Sequence, residues 1–473
     1  MRRLTAGDAM FLYNEQPSQH MHTLKLAIFD HSKTRGGYSF ESRKQKLAAR
    51  LDRLPPLRWR TLTTPLGLNH PLWIEDPDFD LDYHVRRAAI PAPGGSRELC
   101  SLVEEIASRP LDRNRPLWEV WMIEGLEGGQ VAALTKIHHS LADGVAAAEL
   151  LRRVLSPSPE EESADPDSRW EPEPVPPKGE RVRLALRDLV GFLAEAVPRA
   201  WRSLWRSRRV RGEHRRQGAV DPPKPYDAPP TFFNCALSAQ RRFAYTSVSL
   251  DDAKAIRTAF GCSINDVLLA TVAGALRNFL LAKGELPGVP LIASIPVSTS
   301  QEPRPYGNST GAWYVHLPTQ LEDPVARLRA VQRSVRISRE EFADTAGARL
   351  TDWIELFPPV LLKQIFSRLP LWLLKAGRAP MANLIVSNVR GPAQPLLYDG
   401  ALMTGFYSVG PILEGVALNV TSWSYADQMN VSLLGCRNAL PDLWELADQI
   451  CVAFEELLKA SATLPAEPEE QPA

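Results

Sequence analysis

The chain has 473 residues and balances 55 basic against 55 acidic side chains, enough length for two or three domains with a sizeable core. A zero net charge excludes the long-range field that gathers nucleic acid, so no nucleic-acid partner is expected. Cys100, Cys235, Cys262, Cys436 and Cys451 are scattered without a Cys-x-x-Cys pair, which speaks against a disulfide framework or a zinc site and suits a reducing cytoplasm.

From the N-terminus, Asp8 and Glu15 interrupt any apolar stretch after Met1-Arg2-Arg3, and no run of 18 apolar residues follows. Neither a signal sequence nor a membrane span is expected. Periodicity then predicts a strand over 23–29, helices over 42–54 and 97–108, strands over 117–123 and 131–139, and a helix over 145–155. From Ser156 to Glu180, seven prolines and eight acids leave too little apolar surface to offset ordering entropy, as in a linker. Arg181 to Arg216 follows with 11 Arg against three acids. Within it, Val182, Leu186, Leu189, Leu193, Val197, Trp201, Leu204 and Trp205 form an apolar stripe flanked by arginines. Such a helix either packs on its own protein or lies on an anionic lipid surface, and the stripe fits both.

After a second Pro-rich stretch, Asp221 to Pro230, strands are predicted over 242–249, 291–296, 312–317, 383–387, 417–424 and 428–434. Helices are predicted over 252–260, 263–281 and 441–458. The chain therefore divides into an α/β block at 1–155, a crossover linker at 156–230, a second α/β block at 231–462 and a tail at 463–473.

One string stands out chemically: His138-His139-Ser140-Leu141-Ala142-Asp143-Gly144. It falls where a predicted strand ends and a helix begins, a junction that presents groups to a cleft. Side chains alternate along a strand, so the two histidines should face opposite ways, with one available for chemistry and the other packed. Oppositely directed imidazoles cannot share an ion, so no metal site is expected with Asp143. Asp143 precedes the helix opened by Gly144 and suits an N-cap. Ser263 and Asp266 form a capping-box pattern ahead of the 263–281 helix. Gly307-Asn308-Ser309-Thr310-Gly311 formally matches a nucleophile elbow, but a strand rather than a helix is predicted after it. Neither a phosphate-binding loop nor a dinucleotide fingerprint is present.

The sequence resembles the bacterial wax ester synthase/diacylglycerol acyltransferase family, within the wider group of CoA-dependent acyltransferases and peptide-synthetase condensation domains. The resemblance rests on ordered motifs along nearly the whole chain. These are Asp8-Ala9-Met10-Phe11-Leu12, Phe79 to Arg86, Pro110-Leu111-Asp112-Arg113, Arg115-Pro116-Leu117-Trp118-Glu119 and the double-His string. Ser263 to Leu268, Pro296-Val297-Ser298, Gly307-Asn308 and Ser387 to Pro392 continue it. It implies two chloramphenicol-acetyltransferase-like domains with a channel between them, and acyl-CoA plus diacylglycerol or a long-chain alcohol as substrates. No cofactor is implied.

The resemblance makes His139 the base, with His138 packed behind it, and makes Asp143, with Gly144, an architectural residue that pairs with an Arg. It gives Asn265 the oxyanion or the acceptor to hold, beside Asp266. Pro116, Leu117 and Trp118, with Asn388 and Gly391, become channel walls and the crossing between domains. An alcohol needs such a base, because it is a poor nucleophile until its proton is taken. Two other readings remain at this stage: a condensation-type enzyme using carrier-bound acyl donors, and a catalytically silent lipid-droplet protein. The expected location is the cytoplasm, with peripheral attachment to membrane or lipid inclusions through the 181–209 stripe.

Overall fold

The computed structural model describes residues 1–34, 36–155, 174–188, 201, 222–298, 306–308, 310–345 and 357–463. Two six-stranded sheets organise them. In the first, Leu397–Tyr398, Ala401–Val409, His22–Asp30, Val131–His138, Trp118–Glu124 and Val85–Ala89 lie side by side. In the second the order is Thr310–Leu317, Leu291–Ser298, Leu384–Arg390, Leu418–Tyr425, Gln428–Cys436 and Arg241–Ser249. A small sheet of Arg2–Arg3, Leu72–Glu75 and Trp59–Leu62 covers the N-terminal end.

Helix Ile264–Ala282 opens with the expected capping box, Ser263 and Asp266 satisfying each other's backbone N–H groups. Almost wholly apolar and buried, it forms the core of the second half with Trp444–Ala462. It is long and apolar enough to cross a bilayer, but its burial identifies it as a core helix.

The expected contiguous division at 1–155 and 231–462 needs one correction. Strand Ala401–Val409 leaves the C-terminal half and pairs antiparallel with His22–Asp30 in the first sheet. A register shift between Met403 and Gly405 interrupts its alternation, which hides the strand from a period-2 reading. The exchange stitches the halves together by backbone hydrogen bonds.

Helices Ala6–Asn14, Pro324–Thr345 and Pro359–Lys375 were not anticipated from periodicity. The first is fixed by a capping box between Thr5 and Asp8. Of the arginine-rich segment, residues 181–188 are helical, in a helix that begins at residue 178, and lie on the N-terminal small sheet. Arg3 Nε donates to Asp188 Oδ2 at 2.9 Å, and Asn69 donates to the Ala185 carbonyl at 3.2 Å. This part packs on the protein; of 189–209 only Trp201 lies within the described residues.

Candidate active site

The strand carrying the double-His string ends at His138, one residue earlier than its hydrophobic pattern suggests, and leaves His139 on the following turn. His139 is anchored by its own N–H, which donates to the Met21 carbonyl at 2.7 Å.

His138 is fully buried. Its Nδ1 accepts from the Ser140 N–H at 3.1 Å, with Ser140 Oγ 2.7 Å away. Nε2 therefore carries the proton and faces Glu15 Oε1 at 3.5 Å. Burial lowers the His138 pKa, an effect that Glu15 offsets only in part. For Glu15 burial acts upward, but His138 and Arg113 outweigh it and bring its carboxyl to about 2. Arg113 Nη2 lies 2.6 Å from Glu15 Oε2 and supplies the charge that keeps this carboxylate ionised. The His138 ring is thereby a locked support.

His139 is only half-buried. Its ring stacks on Phe11, centroids 4.0 Å apart and planes 13° from parallel. Its Nδ1 lies 3.0 Å from Asn308 Oδ1. The orientation of the Asn308 amide is dictated by its other contacts: Nδ2 donates to Asp8 Oδ1 at 3.0 Å, to the His139 carbonyl at 2.8 Å and to the Ser140 carbonyl at 3.3 Å. All three are acceptors, so the amide oxygen must face the imidazole. His139 Nδ1 then donates, and the lone pair is left on Nε2.

Asp8 holds Asn308 in turn. Its Oδ1 also accepts the Asn308 backbone N–H at 2.7 Å, while its Oδ2 accepts from Thr5 Oγ at 2.8 Å. Burial raises the Asp8 carboxyl above its usual range, and these hydrogen bonds oppose that shift. Residues 306–308 dock on the double-His turn through backbone contacts: the Gly307 N–H donates to the Leu141 carbonyl at 2.7 Å, and the Asp143 N–H to the Gly307 carbonyl at 3.2 Å. Gly307 has φ of 84°, a conformation that suits glycine. The strand that follows, Thr310–Leu317, is not the helix a nucleophile elbow requires.

Asp143 caps helix Gly144–Leu155, its Oδ1 accepting the Ala146 N–H at 2.9 Å. Its charge also acts on both His139 and the buried amine of Lys25. Gly144 lies opposite Val389, where the Leu384–Arg390 strand from the second sheet arrives. Burial pushes His139 down to about 4, against the opposing pull of Asp143 and the Asn308 hydrogen bond.

The other anticipated residues are placed apart. Pro116, Leu117 and Trp118 are sealed in the core rather than set along a wall open to ligand. Trp118 donates from Nε1 to the Leu57 carbonyl, and the Leu117 carbonyl accepts the His138 N–H at 2.9 Å. They brace the double-His strand from behind. Asn265 is half-buried at the start of its helix, and among the described residues its amide makes no hydrogen bond to the histidine cluster. One Asp266 oxygen is taken by the capping box; the other is buried without a hydrogen-bond partner among the described residues. Asn388 is exposed near the end of its strand. Gly391 abuts Trp423 and Ser424 so closely that a Cβ would fall 2.1 Å from the Ser424 carbonyl oxygen, which accounts for the glycine sterically. Among the described residues no cluster of metal-ligating side chains occurs.

Asp8, Phe11, Glu15 and Asn308 carry the environment of the histidines, yet none was assigned a chemical role from sequence. Asp8, Phe11 and Asn308 do fall within motifs that carried the family resemblance, which is the only signal that pointed to them.

Comparison with known proteins accords with this geometry. Residues 4–268 match the family model described as the wax ester synthase/diacylglycerol acyltransferase catalytic domain, and residues 306–458 match the C-terminal domain of the same family. A Mycobacterium tuberculosis (strain H37Rv) protein provisionally named diacylglycerol O-acyltransferase is 38% identical over 467 residues, covering 98% of each chain. A second from that strain is 36% identical over 477 residues, covering 98% of this chain and 92% of its own. Among solved structures, the wax ester synthase/diacylglycerol acyltransferase of Marinobacter aquaeolei VT8 aligns with a TM-score of 0.68 at 29% identity, over 97% of this chain and 100% of that one. The first condensation domain of the calcium-dependent antibiotic synthetase, at 15% identity and a TM-score of 0.61 over 98% and 96% of the two chains, shares the fold.

Proposed function

The chain belongs to the wax ester synthase/diacylglycerol acyltransferase family, and from that premise we propose that His139 is the general base of an acyl transfer from acyl-CoA to a lipid hydroxyl. The fold is that of two chloramphenicol-acetyltransferase-like α/β domains, and the activity is O-acyl transfer to diacylglycerol or a long-chain alcohol.

The observation that carries the mechanism is the Asn308 contact, which directs the proton to Nδ1 and leaves Nε2 as the acceptor. Nε2 removes the proton of the acceptor hydroxyl as its oxygen attacks the thioester carbon. The carbon–sulfur bond then breaks, and the imidazolium returns the proton to the departing CoA thiolate. Asp143 and Asn308 both favour the imidazolium electrostatically, so they lower the energy of the state in which His139 holds the proton. No cysteine adjoins His139, and the Ser140 hydroxyl is engaged with His138, so transfer is direct, with both substrates bound together. Asn265 at its helix start is retained as the candidate for orienting the acceptor, supported by its amide chemistry and its place in the family motif.

The test offers palmitoyl-CoA with hexadecanol or dioleoylglycerol and measures free CoA and both esters. Ester formation with equal CoA release, and no CoA release without acceptor, is the expected result. A stoichiometric burst of CoA in the absence of acceptor would show an acyl-enzyme and overturn direct transfer. Attachment to a lipid surface belongs to the same reading, because acceptor and product are both insoluble in water.

A further inference from the structure

We propose that the outward face of helix Pro359–Lys375, with the tip of the 65–67 loop, is the surface by which this protein docks on anionic lipid. The inference draws on the acyl-transfer reading only for the insolubility of the acceptor; the surface itself is argued from side chains.

The helix has two unlike faces. Inward, Leu362 is buried and Phe366 packs on the cluster that contains Leu12 and Tyr13 of helix Ala6–Asn14. Gln16 donates to the Ser367 carbonyl at 2.8 Å. The element is thus anchored on the helix whose Phe11 stacks on His139. Outward, Leu361, Arg368, Trp372 and Lys375 recur at helical spacing and are all exposed. Trp372 is 62% exposed, and Val360 and Leu369 widen the apolar strip. Soluble surfaces seldom gather this many large apolar side chains without an occupant.

The neighbouring loop extends the strip. Leu66 is 86% exposed and adopts φ of 55°, a left-handed conformation rare for a non-glycine residue. Gly67 lies against Val360, where a Cβ would come 2.5 Å from the Val360 Cγ2. Backbone strain that presents a leucine to solvent points to a role outside the fold.

Charge identifies the occupant. The protein is neutral overall, yet residues 357–398 contain no Asp or Glu. Lys363, Arg368, Lys375 and Arg378 are exposed, and none has an ion-pair partner among the described residues. A second copy of this face would bring like charges together, whereas anionic headgroups would neutralise them. An indole with apolar neighbours between Lys and Arg is the pattern of an interfacial helix, in which the long cations reach the headgroups while the ring sits at their depth. Docking here would place the lipid one helix away from His139.

The test is co-sedimentation of the full chain with vesicles of equimolar phosphatidylcholine and phosphatidylglycerol, alongside pure phosphatidylcholine. The double variants Leu361→Glu/Trp372→Glu and Arg368→Glu/Lys375→Glu should each bind the mixed vesicles at least about tenfold more weakly, and added salt should weaken the wild type. Acyl transfer to a short, water-soluble alcohol should be unchanged in both, while transfer to vesicle-borne diacylglycerol falls. Wild-type vesicle binding by the variants would overturn the proposal. So would a concentration-dependent dimer that Trp372→Glu dissociates without altering vesicle binding, since the occupant would then be a second copy. If the wild type transfers no acyl group to dioleoylglycerol or hexadecanol, the catalytic reading fails while the vesicle result still decides the docking surface.

Discussion

Asn308 Oδ1 lies 3.0 Å from His139 Nδ1, although 169 residues separate the two in sequence. The amide comes from the C-terminal half and the imidazole from the N-terminal half. The protonation pattern of the His139 imidazole is therefore a property of how the halves meet. It is reinforced by Asp8, which holds both the backbone and the side-chain N–H of Asn308.

His139→Ala should lower kcat by roughly 100-fold or more with little change in melting temperature, because a general base contributes on that order and this residue, on a turn, is not sealed in the core as His138 is. His138→Ala should instead leave the Ser140 N–H without its acceptor and Glu15 Oε1 without the imidazole it faces, and unfold at lower temperature. Thermal melts beside initial rates separate the two, and near-normal ester formation by folded His139→Ala protein would remove it as the base.

Asn308→Ala should reduce kcat by about 10-fold or more with a smaller effect on KM, because Nδ1 loses the acceptor that keeps its proton in place. Asp8→Ala should lose activity for the same reason at one remove. It should also cost stability, on the order of 1 kcal/mol, through the broken Thr5 capping box. An Asn308→Ala enzyme with unchanged kcat would show that the amide only packs.

Asp143→Asn should keep part of the helix cap, since an amide oxygen can still accept the Ala146 N–H. Its melting temperature should fall modestly. Removing the negative charge should also depress His139 further and lower kcat, leaving partial activity. Asn265→Ala should reduce kcat more than it destabilises, and an unaffected rate would place Asn265 outside the reaction. Steady-state rates with dioleoylglycerol and thermal melts decide both.

The pH dependence follows from burial. With His139 at about 4, the acid limb of kcat/KM should lie well below the ordinary histidine value of ~6.5, and activity should hold between pH 7 and 5. Stability should not hold equally. His20, His70 and His84 are also lowered to about 4, chiefly by burial. Between ~6.5 and 4 the unfolded chain binds more protons than the folded one, so stability is lost as pH falls through that window. Glu15, lowered to about 2, continues the loss below ~4.5, while Asp8, raised by burial, acts in the opposite direction. Melting temperature should therefore drop by several degrees from pH 7 to pH 5. Rates measured after brief acid exposure and return to pH 7 separate titration from unfolding.

The sequence by itself determined the local structure around the chemistry. Period-2 runs located the strand that leads into the double-His turn and its two sheet neighbours, and the capping patterns at Asp143 and at Ser263 with Asp266 are realised by backbone hydrogen bonds. These depend on side chains within a few residues of one another, so the order of residues is enough to specify them. Tertiary structure alone decided which amide faces His139, which carboxylate holds that amide, and that Ala401–Val409 completes the first sheet. It also turned Leu117 and Trp118 inward and left Leu361 and Trp372 outward, although all four are large and apolar. The reason is common to each case. Periodicity shows which residues share a face, but a strand edge or a lone pair is satisfied by whatever group folding brings within about 3 Å, and that partner can lie anywhere in the chain.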